Sequence, residues 1–180
     1  MRVITGIAKG RRLITLEGED IRPTADKVKG AIFNSIQFDI EGRCVLDLFA
    51  GSGQLGIEAL SRGADKAVFI DLSRKAVQVV TQNLEHCNLK ENATVFNGDS
   101  LSYLKTTREK FDIIFIDPPY NKQLAAKALP LALNVLNDGG IIVCETAHNE
   151  ELPETIGNYA VIKSDRYSQT KLTIYRYTAE

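Results

Sequence analysis

The run Cys44-Val45-Leu46-Asp47-Leu48-Phe49 ends in Gly51-Ser52-Gly53-Gln54-Leu55-Gly56, and this junction constrains the fold more than any other feature of the chain. A short apolar run closed by glycines is the mark of a strand buried on both faces. The same alternation then repeats. Leu55 to Arg62 reads as a helix closed by Gly63, and Ala67–Ile70 as a second strand. Ser73 can cap a helix carrying Ala76, Val77, Val80 and Leu84. Ala93–Phe96 is a third strand, Ser100–Lys105 a short helix, and Phe111–Ile116 a fourth strand. Gln123–Leu136 follows as a helix and Gly140–Glu145 as a fifth strand. Strands alternating with helices predict right-handed crossovers and a parallel sheet.

The two ends break the alternation. Tyr159–Ser164 and Lys171–Tyr177 are strand-like, and the short loop Asp165–Thr170 forces them to pair antiparallel. A dehydrogenase-type sheet does not predict such a tail, whereas the methyltransferase sheet, seven strands with the last one reversed, does. At the other end, Arg2–Thr5 and Arg12–Leu16 flank a turn around Lys9-Gly10 and read as a hairpin. Val28, Ile32, Phe33 and Ile36, placed after Pro23, predict a helix over about 24–37. The expected architecture is a Rossmann-like α/β fold of the class I methyltransferase type. It would form a single domain over 1–180, with a basic hairpin and loop at 1–22, a helical segment at 23–40 and a catalytic core at 41–180.

Composition narrows the class. The chain has 180 residues, 44 % apolar and 25 % charged, which suits an ordinary globular core. No apolar run is long enough to span a bilayer, and Met1–Gly10 lacks a signal pattern, so a cytoplasmic location is expected. Cys44, Cys87 and Cys144 show no paired spacing, so neither a disulfide framework nor a metal site is expected. His86 and His148 read as solvent-facing rather than catalytic. The net charge is −1, but Arg2, Lys9, Arg11 and Arg12 cluster without an acid among them, and Lys27 and Lys29 follow. Such a patch suits a polyanion, and on charge alone it equally suits a solvated hairpin.

Gly51 to Gly56 matches the dinucleotide pattern literally, with Asp71 at the distance where that pattern places an acid. Asp47 argues against a dinucleotide. At the end of its strand it would face a pyrophosphate, and that repulsion is on the order of a few kcal/mol. S-adenosylmethionine carries an ammonium and a sulfonium and no phosphate, so an aspartate beside the glycines favours it. Asp71 then suits the ribose hydroxyls. Asp99 suits the adenine amino group, and a role as a plain helix cap can coexist with it. The expected donor-binding set comprises Arg22, Thr24, Asp47, Phe49, Ala50, Gly51, Ser52, Gly53, Asp71, Leu72, Gly98, Asp99 and Ser100.

The fourth strand ends abruptly in Asp117-Pro118-Pro119-Tyr120, the expected catalytic segment. Two prolines fix the backbone and remove two donors. The Asp117 carboxylate and the Pro118 carbonyl remain as acceptors for the two hydrogens of an exocyclic amino group. Held in this way, the nitrogen can turn its lone pair toward a methyl donor. Tyr120 offers a face on which a base can stack.

With both motifs present, the chain resembles the RsmD-type bacterial 16S ribosomal RNA guanine-N2 methyltransferases. The resemblance runs through Ile4-Thr5-Gly6, Lys9 to Leu13, Arg22 to Lys29, Leu46 to Gly53, Leu55 to Arg62 and Asp117 to Tyr120. It implies S-adenosylmethionine as donor and the N2 amino group of one guanine as acceptor, in RNA presented by the 30S subunit or an assembly intermediate. It also implies that Arg22 to Thr24 cover the methionine end of the donor, and that Arg2, Lys9, Arg11 and Arg12 touch RNA phosphates. The acid at the second strand is Asp71, where such enzymes commonly carry Glu, and this shortens the reach to the ribose. Enzymes that methylate adenine N6 or cytosine N4 in DNA share the Asp-Pro-Pro-Tyr chemistry. They usually bring a target-recognition region, for which this chain leaves little room. A non-catalytic RNA-binding assembly factor is the remaining alternative, and the intact carboxylate set speaks against it.

Overall fold

The computed structural model describes residues 1–16, 23–120 and 123–178, the side chains of 23–25 excepted. Among the described residues, five α-helices are formed by Pro23–Ser35 (α1), Gln54–Ser61 (α2), Arg74–His86 (α3), Ser100–Thr106 (α4) and Leu124–Leu133 (α5). The strands are Cys44–Asp47 (β1), Lys66–Asp71 (β2), Ala93–Asn97 (β3), Phe111–Ile116 (β4), Leu136–Ala147 (β5), Thr155–Ile156 (β6), Tyr159–Tyr167 (β7) and Thr170–Tyr177 (β8). They make one sheet in the order β3-β2-β1-β4-β5-β8-β7-β6. From β3 to β5 the pairing is parallel, and β8 runs antiparallel to both β5 and β7. The reversed tail was expected. The two-residue β6, paired antiparallel to β7, adds an eighth strand that no sequence run announces.

Strand alternation divides the core into two layers. Val45, Phe69, Phe115 and Val143 pack with Ile32 and Phe33 of α1, Ile57 of α2 and Leu84 of α3. Leu46, Val68, Ile114 and Ile142 face the other way, onto Leu104 of α4 and Ala128 and Leu129 of α5. With helices on both faces, the central strands β1, β2 and β4 are buried over most of their length, as their apolar runs predict, while the edge strand β3 is half-buried to exposed. Among the described residues no helix is long and apolar enough to cross a membrane.

The prefix departs from expectation. Instead of a two-stranded hairpin there is a single antiparallel bridge, Arg2 to Arg12, closed by Val3 N–H to the Arg11 carbonyl (3.0 Å) and Gly10 N–H to the Val3 carbonyl (2.9 Å). Other backbone groups of the prefix bond to α2 and α3. The Ile4 and Thr5 amides donate to the two carboxylate oxygens of Glu58 at 2.8 and 3.0 Å, and the Ala8 amide donates to Ser61 Oγ at 3.0 Å. Gly6, at φ +87°, lets the chain lie on α2, because a Cβ there would collide with the Ser61 carbonyl. Glu58 is wholly buried, with Arg62 Nε at 2.8 Å and Lys29 Nζ at 3.7 Å.

Lys29 therefore does not belong to the basic face. It is buried, donates to the Arg2 carbonyl at 2.6 Å, and balances Glu58. A buried carboxylate needs a cation within reach, and Lys29 answers that need rather than an external polyanion. Burial pulls its pKa down, partly offset by the Glu58 charge.

Candidate active site

β1 and β4 are neighbours, with Asp47 in register with Phe115. The glycine loop that follows β1 and the Asp117 segment that follows β4 therefore leave the sheet side by side at its carboxyl edge, where open α/β sheets bind ligands.

The loop is held from below and from one side. Asp47 is buried and accepts from the Gly56 amide at 3.0 Å, so its charge lies beneath the first turn of α2. Gly51 and Gly53 take positive φ, +56° and +80°, and turn the chain over this carboxylate. Ala50 N–H donates to the Ile70 carbonyl at 2.9 Å. Phe49 is half-buried, and Ser52 is buried with its carbonyl accepting from Asn83 Nδ2 at 2.9 Å. Asn83 also exchanges two hydrogen bonds with the backbone of Ile14, at 2.8 and 2.9 Å. It thereby ties the prefix to the glycine loop, a role nothing in its helical sequence context suggests.

Asp71 ends β2 and accepts two backbone hydrogen bonds, from Gly51 at 2.9 Å and Ser73 at 2.8 Å. A carboxylate offers about four lone-pair sites, so this pre-set orientation still leaves capacity for two hydroxyls. Leu72 beside it is 72 % exposed, an open apolar surface at the strand tip. Gly98 donates to the Asp71 carbonyl at 3.0 Å. Asp99 is exposed and caps α4 by accepting from Ser102 N–H at 2.8 Å, and that amide holds its carboxyl below the usual range. The cap and an open carboxylate coexist. Ser100 is buried and donates to the Leu48 carbonyl at 2.5 Å. The structure thus brings Asp47, Phe49 to Gly53, Asp71, Leu72 and Gly98 to Ser100 to one edge. Arg22 and the Thr24 side chain lie outside the described residues.

Beyond β4, Asp117 is half-buried, Pro118 buried, Pro119 exposed and Tyr120 half-buried. The Tyr120 hydroxyl shares a 2.7 Å hydrogen bond with Thr170 Oγ1 on β8. It also bonds the carboxyl of Glu145, a residue that in the sequence is only the end of an apolar strand. Burial pushes that carboxyl up to about 7, against the opposing effect of the Tyr120 bond. No local signal marks Glu145, because its neighbours come from β4 and β8.

Arg2, Lys9, Arg11 and Arg12 are all exposed. Arg11 also donates to the His86 carbonyl at the end of α3, at 2.7 Å. The His86 side chain is exposed and that of His148 half-buried. Burial raises the pKa of all three cysteines, which leaves them as weakly nucleophilic thiols.

Comparison with known proteins bears on this edge as a whole. The family described as Conserved hypothetical protein 95 matches residues 1–176. A Bacillus subtilis chain, YlbH, described as a candidate rRNA methyltransferase, is 42 % identical over 98 % of this chain and 98 % of its own. Ribosomal RNA small subunit methyltransferase D of Escherichia coli is 33 % identical over 100 % of this chain and 91 % of its own. The chain belongs to the RsmD-type methyltransferase family. A solved Escherichia coli structure, the candidate methyltransferase yhhF, superposes with a TM-score of 0.87 at 31 % identity, over 100 % of this chain and 99 % of that one. The family's methyl donor, S-adenosylmethionine, fits the residues present. The loop backbone is open to close approach at its glycines, carboxylates stand along the edge for cationic and hydroxyl groups, and no basic side chain among Phe49 to Gly56 calls for a phosphate.

Proposed function

We propose that this protein transfers a methyl group from S-adenosylmethionine to the exocyclic N2 amino group of a guanine in 16S ribosomal RNA. The observation that carries this reading is the shared edge: the Asp117 segment and the glycine loop leave adjacent strands, so a base held at one faces a donor held at the other. The bound donor supplies an electrophilic methyl group on a cationic sulfur. The protein supplies position. The Asp117 carboxylate and the Pro118 carbonyl accept the two amino hydrogens and free the nitrogen lone pair from the ring, and Tyr120 stacks on the base. After transfer the nitrogen is acidic and releases a proton readily, so Asp117 needs no unusual basicity. Asp71 would hold the ribose, Asp99 the adenine amino group, and Arg22 and Thr24 the methionine end.

Arg2, Lys9, Arg11 and Arg12 would contact RNA phosphates, and so small a basic face favours a folded 30S subunit or an assembly intermediate as substrate. The names of the relatives support RNA of the small subunit, and such a substrate favours a cytoplasmic location. Labelled-donor transfer to small-subunit particles, naked ribosomal RNA and duplex DNA tests the reading. N2-methylguanine in digests of the RNA is expected, and transfer to DNA alone would overturn it.

A further inference from the structure

The Asp-Pro-Pro-Tyr segment does not by itself choose a base. Any exocyclic amino group offers two hydrogens to Asp117 and the Pro118 carbonyl. What differs is the neighbouring ring atom. Beside N2, guanine presents the N1–H donor. Beside N6, adenine presents N1 as an acceptor, and beside N4, cytosine presents N3 as an acceptor. A site that takes guanine needs one more acceptor next to Asp117, and one that takes adenine or cytosine needs a donor there.

β4 and β5 are parallel, with Ile116 in register with Cys144. One step further, Asp117 and Glu145 come to neighbouring places at the same edge. Adjacent strands lie about 4.8 Å apart, a separation at which two carboxylates can serve two adjacent donors of one base edge. Glu145 is half-buried and bonds the Tyr120 hydroxyl, so its carboxyl reaches the tyrosine on which the base would stack. The groups packed around it are mostly uncharged. On β8, Leu172 lies opposite Glu145 and Thr170 opposite Ala147, and Lys171 pairs with Thr146 on the other face of the sheet. Asp117 and Tyr120 are the titratable neighbours on the β4 side. Burial, only partly opposed by the Tyr120 bond, keeps the carboxyl partly protonated near neutral pH.

We propose that Glu145 determines base specificity by accepting a hydrogen bond from guanine N1–H, while Asp117 and Pro118 hold the N2 hydrogens. This rests on the guanine-N2 reading above and adds the reason the acceptor is guanine. The bond also draws the N1 proton toward the carboxylate and leaves N2 richer in electrons, without moving the proton. Ionised, as it is above a pH of about 7, the same carboxylate would face the adenine N1 lone pair and reject that base. A site built to pair a polar group rejects an analogue that leaves it unpaired more strongly than it rejects a change of size. The alternative role for Glu145 is a brace for Tyr120 alone, which would treat all stacked bases alike.

2-Aminopurine separates the two roles, because it keeps the 2-amino group but has a bare N1 acceptor. The wild-type enzyme is first given small-subunit RNA, and the methylated nucleotide is mapped. RNA is then prepared with 2-aminopurine at that position, and kcat/KM is measured for both substrates with wild-type and Glu145→Gln enzyme at about pH 8.5, where the Glu145 carboxyl is ionised and cannot donate to the bare N1. The wild-type enzyme should favour guanine by about 10- to 100-fold, the effect of leaving a buried charged acceptor without its donor. Glu145→Gln can turn its amide NH2 toward the bare N1, and its preference should fall to within about threefold, with S-adenosylmethionine affinity by titration unchanged. A variant that keeps the wild-type preference overturns the proposal. If the variant does not fold, the wild-type ratio decides alone, and a ratio within about threefold overturns it. An enzyme that makes N2-methylguanine without discriminating 2-aminopurine overturns the role of Glu145 and leaves the proposed function standing. Failure to methylate any guanine overturns both at the mapping step.

Discussion

Asp71 ends β2 and Glu145 lies near the end of β5, both toward the carboxyl edge of one sheet, yet the fold treats them in opposite ways. Asp71 accepts from two backbone amides, and Asp47 and Asp99 also accept from backbone amides. Glu145 is met by a side-chain hydroxyl and otherwise pressed by burial, which lifts its pKa to about 7. Backbone amides cannot leave when a ligand departs, so the carboxylates near the glycine loop stay aimed. A carboxyl held by a side chain can exchange its partner for a ligand and carry a proton meanwhile. The β1 to β3 half of the edge is thus built as a fixed mould, and the β4 to β8 half as a surface that responds to what lies on it. This difference suits a donor that is always the same molecule and an acceptor that must be chosen from among bases.

The sharpest break in the comparison is expected at Asp117. Asp117→Ala should lower methyl transfer by about 100- to 1,000-fold, while donor affinity by calorimetric titration stays within about tenfold. A large loss of donor binding would show that the two halves are not separate. Asp71→Ala should do the reverse, weakening S-adenosylmethionine binding by about 10- to 100-fold through the absence of its charge-assisted hydrogen bonds. Single-turnover rates at saturating donor should then fall much less.

The acidity of Glu145 gives a smaller effect with a definite sign. Accepting from guanine N1–H requires the ionised form, so kcat/KM should rise with pH through about 7, and Glu145→Gln should flatten that rise. The stability consequence runs the other way. The folded carboxyl holds its proton above the ordinary range near 4.5, so folding takes up a proton between about 4.5 and 7. Stability from this group is present below 4.5 and is lost as pH rises toward 7, and thermal melts of wild type against Glu145→Gln should show it. The smallest expected effect lies on the basic face. Removing Arg11 and Arg12 together should reduce the slope of log affinity against log salt by about 0.7 to 0.9 for each phosphate no longer neutralised. An unchanged slope would return these arginines to ordinary solvation.

The parallel core was legible because its central strands are buried on both faces and announce themselves as apolar runs, and β4 begins and ends where its residues predict. The α5–β5 boundary was not. The helix stops at Leu133 and the strand starts at Leu136, while Asn137-Asp138-Gly139-Gly140 reads as a turn. Gly139 at φ +72° and the register shift between Phe111 and Ile113 show an irregular strand there, held by pairing with β4 rather than by its own propensity. The prefix failed for a related reason. Its hydrogen bonds go to Glu58 and Ser61, more than fifty residues away, so the hairpin pattern in its sequence had no partner strand to satisfy. Lys29 and Glu145 are opposite cases of one limit. Lys29 looked like part of a surface patch and is buried against Glu58, whereas Glu145 looked like a strand end and stands beside the proposed base site. In each, the side chain that decides the role lies on another element. The glycine loop and the Asp117 segment escaped this limit because each carries its chemistry within a few consecutive residues.

Mass mapping of modified nucleotides in small-subunit ribosomal RNA, from cells with and without the gene, tests the central claim most directly. Loss of N2-methylguanine at one position, restored by the wild-type gene and not by Asp117→Ala, is the predicted result. An unchanged map, or loss of a modification on a base other than guanine, would contradict it.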